Sequence, residues 1–249
     1  MFSKVQNSLY KIPGISNFKP SFNKAIGIPA TVLLIGLLIP PAYLFYRSLS
    51  GDVDVLSLMS RQSLWTSLLN SLILMFTVSL TSILISIPCA WITTRSGVKG
   101  RSIWAVGFAL PLVIPTYVGG FIVVIFLGPK GMLQQVLEWC CGVDRLPAIY
   151  GLWGATFTLA IFSYPYVYLS IRSGFLKMDN SLVEVAESLG LSKISIFFKI
   201  ILRQLVPSIL AGTLLVSLYV LSDFGAVSLL RYKTFSWSIF IQYGTALDR

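Results

Sequence analysis

The apolar positions of this chain come in long unbroken runs rather than at the spacing of a half-buried helix or strand. At 1.5 Å rise per residue, about 20 apolar residues cross a hydrocarbon core of roughly 30 Å. Five stretches reach that length: about Ala25 to Tyr46, Trp65 to Thr93, Ile103 to Leu127, Ile149 to Ile171 and Leu205 to Leu221. The first four are uncharged, and the fifth is followed by Ser222, Asp223 and a second apolar patch, Phe224 to Leu230. The pattern predicts an all-α, polytopic membrane protein with five transmembrane helices.

Every predicted span contains proline: Pro29, Pro40 and Pro41, then Pro88, then Pro111 and Pro115, then Pro165, and lastly Pro207. Kinked helices packed around a pathway would account for this, and so would the general frequency of proline in membrane helices. Between the third and fourth spans, Met132, Leu133, Val136, Leu137, Trp139 and Cys140 predict a short helix at the membrane interface.

Composition agrees with a lipid environment. Of 249 residues, 55% are hydrophobic and 11% charged, less than half the charged share of a soluble domain. The mean hydropathy of +0.81 is more than one core of this size can hide. The basic balance, 19 Lys plus Arg against 9 Asp plus Glu, does not point to nucleic acid, because these residues sit in gaps between apolar runs. The three cysteines lack zinc-ligand spacing, and the absence of histidine excludes imidazole ligands, His-dependent triads and imidazole proton shuttles.

Lys and Arg concentrate in alternate segments. The tail carries Lys4, Lys11, Lys19 and Lys24, the second loop Arg95, Lys99 and Arg101, and the fourth Arg172, Lys177, Lys193, Lys199 and Arg203. The positive-inside rule places these three segments in the cytoplasm and the third loop and C-terminus outside. The first span starts too late and runs too long for a signal peptide, so residues 1–24 read as an uncleaved cytoplasmic tail.

The fourth loop has the most local order. Ser181 and Glu184 fit a capping box, which starts a helix at about Leu182. Gly190 would end it in the left-handed conformation, and a second short helix follows from about Ser192 or Lys193. Such a pair, with a small alanine and two carboxylates exposed, is either a knob for another protein to grip or a capped connector lying on the membrane.

Glu184, Val185, Ala186, three further residues to Gly190, then Ile200 and Leu202 resemble the EAA loop of membrane subunits of bacterial binding-protein-dependent ABC importers. Val185 stands where that pattern has its first alanine, and Arg203 where it has a proline. The resemblance implies a MetI-like permease repeat whose loop, about 180–203, is the coupling helix seated on a cytoplasmic ATPase dimer. Glu184, Ala186, Glu187, Gly190, Ile200 and Leu202 would then form the ATPase-coupling segment. The segment Leu221 to Phe235, with Asp223, Phe224 and Gly225, is similar to ferric-iron permeases, and to thiamine permeases of the same branch.

Asp223 is the one acid adjoining an apolar span, where a charge at a helix centre costs about 2.5–3.5 kcal/mol. It either faces a substrate pathway near the outer side or is a helix-end carboxylate paired with Arg231 or Lys233.

The resemblance divides the chain into a tail (1–24), a permease domain (25–230) and an external segment (231–249), expected to be truncated before a sixth span. It implies the first half of a two-repeat permease in the bacterial inner membrane, with a second permease half, an external solute-binding protein and membrane lipid as partners. No phosphate-cradling G-x-x-x-x-G-K-[ST] loop occurs, so ATP would be hydrolysed on a separate chain and this one would bind no cofactor or metal. Transport of ferric iron leads, with thiamine, sulfate or another small solute as the alternative cargo. A membrane scaffold or enzyme without transport is the second alternative, and the scattered acids weigh against an enzyme.

Overall fold

The computed structural model describes residues 24–50, 62–129, 131–142 and 148–247. The expected tail before Lys24, the side chain of Cys141 and much of the first loop lie outside the described residues. The chain divides into two compact units, the first ending at Leu58. In the first, α1 (Lys24–Ser50) keeps helical hydrogen bonding past Pro29, Pro40 and Pro41. Its apolar side chains from Ile28 to Tyr46 are exposed, as suits a lipid-facing helix.

The second unit is built on α2 (Gln62–Thr94), α6 (Leu152–Lys177) and α9 (Leu202–Ser222). One face of α2 is lined by Ser67, Ser71, Ser82, Ser86 and Ala90, with Leu74 and Val78 between them, all buried. Small side chains let helix axes approach closely where lipid offers no hydrophobic drive to association. Hydroxyls then bridge the helices: Ser86 Oγ donates to the Tyr164 carbonyl at 3.0 Å, Thr77 and Thr156 Oγ1 lie 2.9 Å apart, and Ser170 Oγ donates to the Ser208 carbonyl at 2.7 Å.

Helix α6 is the expected fourth span, and it is the most buried helix of the unit. Leu159, Val167, Tyr168 and Ile171 are inaccessible. It carries Tyr164, Tyr166 and Tyr168 and several hydroxyls, so it is less apolar than the others and meets protein on most sides. Four helical stretches among the described residues are long and apolar enough to cross a membrane: Gly27–Tyr46, Gln62–Thr94, Thr116–Cys140 and Lys193–Ser222.

The third predicted span is not one helix. It consists of α3 (Arg101–Ala109), a 3₁₀ turn (Leu110–Val113), an extended Ile114 and α4 (Thr116–Leu127). Pro115 supplies no N–H and pushes the residue before it out of the helical region, and Ile114 has φ −87° and ψ 120°. Pro88, Pro165 and Pro207 lie inside continuous helices.

Helix α5 (Met132–Cys141) is the expected short helix after the third span, and Trp139 on it is 88% exposed. Beyond α9 come α10 (Gly225–Leu229) and α11 (Phe235–Leu247). Helix α11 packs on α2, where Ser67 and Ser238 hydroxyls are 2.7 Å apart and the Phe235 N–H donates to Ser71 Oγ.

Candidate functional site

The loop between α6 and α9 is built from α7 (Ser181–Ser188), a turn, α8 (Lys193–Ile196) and a π turn (Phe197–Ile201) that runs into α9. The expected capping box is absent. Asn180 is the N-cap, and Asp179 Oδ1 accepts the Ser181 N–H at 2.9 Å, so Ser181 is the first helical residue rather than the cap. That hydrogen bond, with a smaller contribution from the Ser181 hydroxyl, holds the Asp179 carboxyl below its usual range.

The C-terminus of α7 closes as the sequence predicts. The Leu191 N–H donates to the Ala186 carbonyl at 3.1 Å and the Gly190 N–H to the Glu187 carbonyl at 2.9 Å, the paired bonds of a Schellman motif. Gly190 has φ +75°, a conformation costly for any residue with a Cβ. Ser192 caps α8 by accepting the Ser195 N–H. The position where the EAA pattern has proline is Arg203, and there the helix continues unbroken.

Glu184 and Glu187 are exposed, as are Leu182, Val185, Leu189 and Ile194. Ala186 is not exposed, contrary to expectation: it is 3% accessible and lines the same groove as Leu191 and Ile200. Its small size seats α7 on the returning chain rather than offering a contact outward. Ile200 is half-buried on that return, as is Leu202 at the start of α9.

The loop is held from outside by α2, which sequence reasoning missed. The Arg95 Nη2 donates to Asn180 Oδ1 at 2.6 Å. One turn earlier, the Trp91 ring meets Phe175 at the end of α6 and Phe197 in the π turn, each edge-on at 5.8 Å. Between these contacts lies a cleft lined by Trp91, Arg95, Val183, Glu187 and Phe198.

Asp223 ends α9 and is buried. Its Oδ2 accepts from Thr116 Oγ1 at 2.6 Å and its Oδ1 from the Ala226 N–H at 3.0 Å. Thr116 Oγ1 in turn accepts from the Tyr219 hydroxyl at 3.1 Å. The carboxylate thus ties the first residue of α4 to the break between α9 and α10. Its partners are not Arg231 and Lys233, whose cationic groups lie over the rings of Tyr150 and Trp237 at 4.9 and 5.9 Å. The Phe224 ring stacks tilted on Phe240 at 4.3 Å. A Cβ on Gly225 would stand 2.9 Å from Tyr117 Cβ, so glycine is what allows α10 to lie against α4.

Residues 82–245 match the sequence model of a family described as the binding-protein-dependent transport system inner membrane component. The chain is 32% identical over 215 residues to the Fe(3+)-transport system permease protein FbpB 2 of Haemophilus influenzae, covering 85% of this chain and 39% of that protein. It is 31% identical over 137 residues to the putative molybdenum transport system permease protein YvgM of Bacillus subtilis, covering 55% and 59%. The chain therefore spans less than two thirds of the length of either relative. Among solved structures, a chain of a bacterial alginate ABC transporter, crystallised in complex with its alginate pentasaccharide-bound periplasmic protein, superposes with a TM-score of 0.68. That match has 18% identity and covers 87% of this chain and 81% of that one, so the two share a fold.

Proposed function

Since the chain belongs to the family of binding-protein-dependent transport system inner membrane components, we propose that it forms part of the membrane pathway of an ATP-driven importer. In this reading a separate cytoplasmic ATPase dimer drives transport, an external solute-binding protein delivers the cargo, and a second permease half completes the pathway. The N-terminus and the α6–α9 loop lie in the cytoplasm, and the chain itself binds no cofactor. The observation that carries the reading is the loop, in which a helix with exposed Glu184 and Glu187 is closed by a left-handed Gly190 and returned into a span. A capped, protruding helix of this kind offers a rigid contact through which a partner's movement tilts the bundle. Asp223, with Phe224 and Gly225, lies beside the pathway.

Ferric iron is the leading cargo. The 32% identity to an iron permease supports it. Molybdate is the second reading, supported by the 31% identity to a molybdenum permease. The test is uptake of labelled ferric iron, molybdate, sulfate and thiamine in cells lacking this permease and in cells with it restored. Iron uptake that falls on deletion, and returns only with Glu184 and Gly190 intact, is the expected result. Loss of a different cargo retains the importer and replaces iron; loss of none removes the transport reading.

A further inference from the structure

Helix α2 touches the loop at one end and the Asp223 region at the other. At the loop end, Arg95, the residue after α2, donates its N–H to the Trp91 carbonyl at 2.8 Å and so shares a face with Trp91, and the two hold both halves of the loop through Asn180 and Phe197. Near the opposite end, Asn70 Nδ2 donates to the Lys233 carbonyl at 3.0 Å, and Ser71 Oγ accepts the Phe235 N–H at 2.8 Å. The adjoining Ser236 hydroxyl donates to the Asp223 carbonyl at 2.7 Å. The 25 residues from Asn70 to Arg95 span roughly 38 Å at 1.5 Å per residue.

We propose that α2 is a strut clasped to the loop by Arg95 and Trp91, moving with it as one body and carrying its displacement to the Lys233–Ser236 segment and Asp223. The proposal rests on the importer reading above. The geometry favours a strut over transmission through α9 alone, because the return into α9 passes through a π turn, an irregular stretch that yields more readily than a regular helix. A cleft lined by Trp91, Arg95, Val183 and Glu187 separates the two contacts that α2 makes with the loop. Arg95 and Trp91 are then positioning residues, which set where the loop sits on α2 without touching cargo.

The experiment uses the full-length permease assembled with its ATPase in lipid vesicles, with Cys89, Cys140 and Cys141 replaced by serine. Spin labels at Lys233→Cys and at Trp153→Cys, an exposed position at the start of α6, report the distance between those positions with and without a non-hydrolysable ATP analogue. In the otherwise unaltered assembly the nucleotide shifts this distance. Arg95→Ala is expected to reduce the shift at least twofold and Arg95→Lys, which keeps a donor for Asn180, to restore most of it. A short covalent cross-link between Arg95→Cys and Asn180→Cys is expected to leave the shift intact. A full shift in Arg95→Ala, or its abolition by the cross-link, overturns the strut. An assembly whose distance ignores nucleotide and whose ATP hydrolysis ignores Gly190→Asp overturns the importer reading, and the strut with it.

Discussion

Thr116 and Asp223 join two interrupted spans, the Thr116 hydroxyl donating to the Asp223 carboxylate at 2.6 Å just after the Pro115 break and just before α10. Both carboxylate oxygens are used, since the second accepts the Ala226 N–H. A buried carboxylate that lost these partners would be costly, by about 1–3 kcal/mol for each unsatisfied group.

Asp223→Asn removes the charge while keeping the shape and one of the two hydrogen bonds, so it is expected to impair transport more than folding. An amide accepts only on its oxygen, so it keeps one of the two hydrogen bonds, from the Thr116 hydroxyl or from the Ala226 N–H, and turns its nitrogen toward the other donor. Uptake should fall severalfold at unchanged membrane abundance, measured by labelled cargo and immunoblot. Full uptake at normal abundance would remove Asp223 from the pathway.

Gly225→Ala tests the close approach that places Asp223. The added methyl would stand 2.9 Å from Tyr117 Cβ, whose backbone is fixed in α4 and cannot give way cheaply. Overpacking of this kind costs about 1–3 kcal/mol. A lower unfolding temperature of the detergent-solubilised protein is expected, whereas an unchanged one would mean that α10 can lift from α4.

How much of this was legible in the sequence depends on the range of the interaction. Uninterrupted apolar runs exposed the spans, because every lipid-facing helix must be apolar along its length. The burial of α6 was not legible: its tyrosines and hydroxyls are tolerated because α2 and α9 pack around it. Pro115 was visible, yet a proline alone does not distinguish a kink, as at Pro165, from the break before Thr116. Gly190 was read correctly because a left-handed turn is a local requirement. Ser181 fits the cap pattern yet is the first helical residue, because Asp179, two residues earlier, takes its N–H. The pairing of Thr116 with Asp223, 107 residues away, and that of Arg95 with Asn180, 85 residues away, depend on the packed bundle and leave no local signal.

Asp179 gives the start of the loop a pH dependence. Its carboxyl is held low by the Ser181 N–H and then the Ser181 hydroxyl, so it favours the folded loop above the ordinary carboxylate pKa of about 3.9. That contribution is lost as the pH falls through the lowered value. Hydrogen exchange of the Ser181–Val183 amides should accelerate in acid beyond the intrinsic change in rate. Asp179→Asn should flatten this extra dependence, and a variant that behaves as the native chain would mean that another group caps the loop.

Exposed and buried positions of the loop offer two separable ways of breaking it. Glu184 and Glu187 are exposed, Glu187 at the edge of the cleft beside Arg95, and make no contribution to the Schellman turn beyond their backbone, so Glu184→Gln and Glu187→Gln should leave the loop folded and weaken only a partner's grip. Ala186 is 3% accessible in the seat of α7, and Ala186→Leu adds three carbons between α7 and the returning chain. Larger side chains in a packed site force a backbone shift, which would displace Glu184, Glu187 and Gly190 together. Co-purification of the ATPase in detergent should thus be reduced by all three variants. Proteolytic nicking between Asp179 and Lys199 should rise in Ala186→Leu alone. If the glutamine variants were nicked as readily, the carboxylates would be holding the loop's own fold. Their role as an outward contact would then fall.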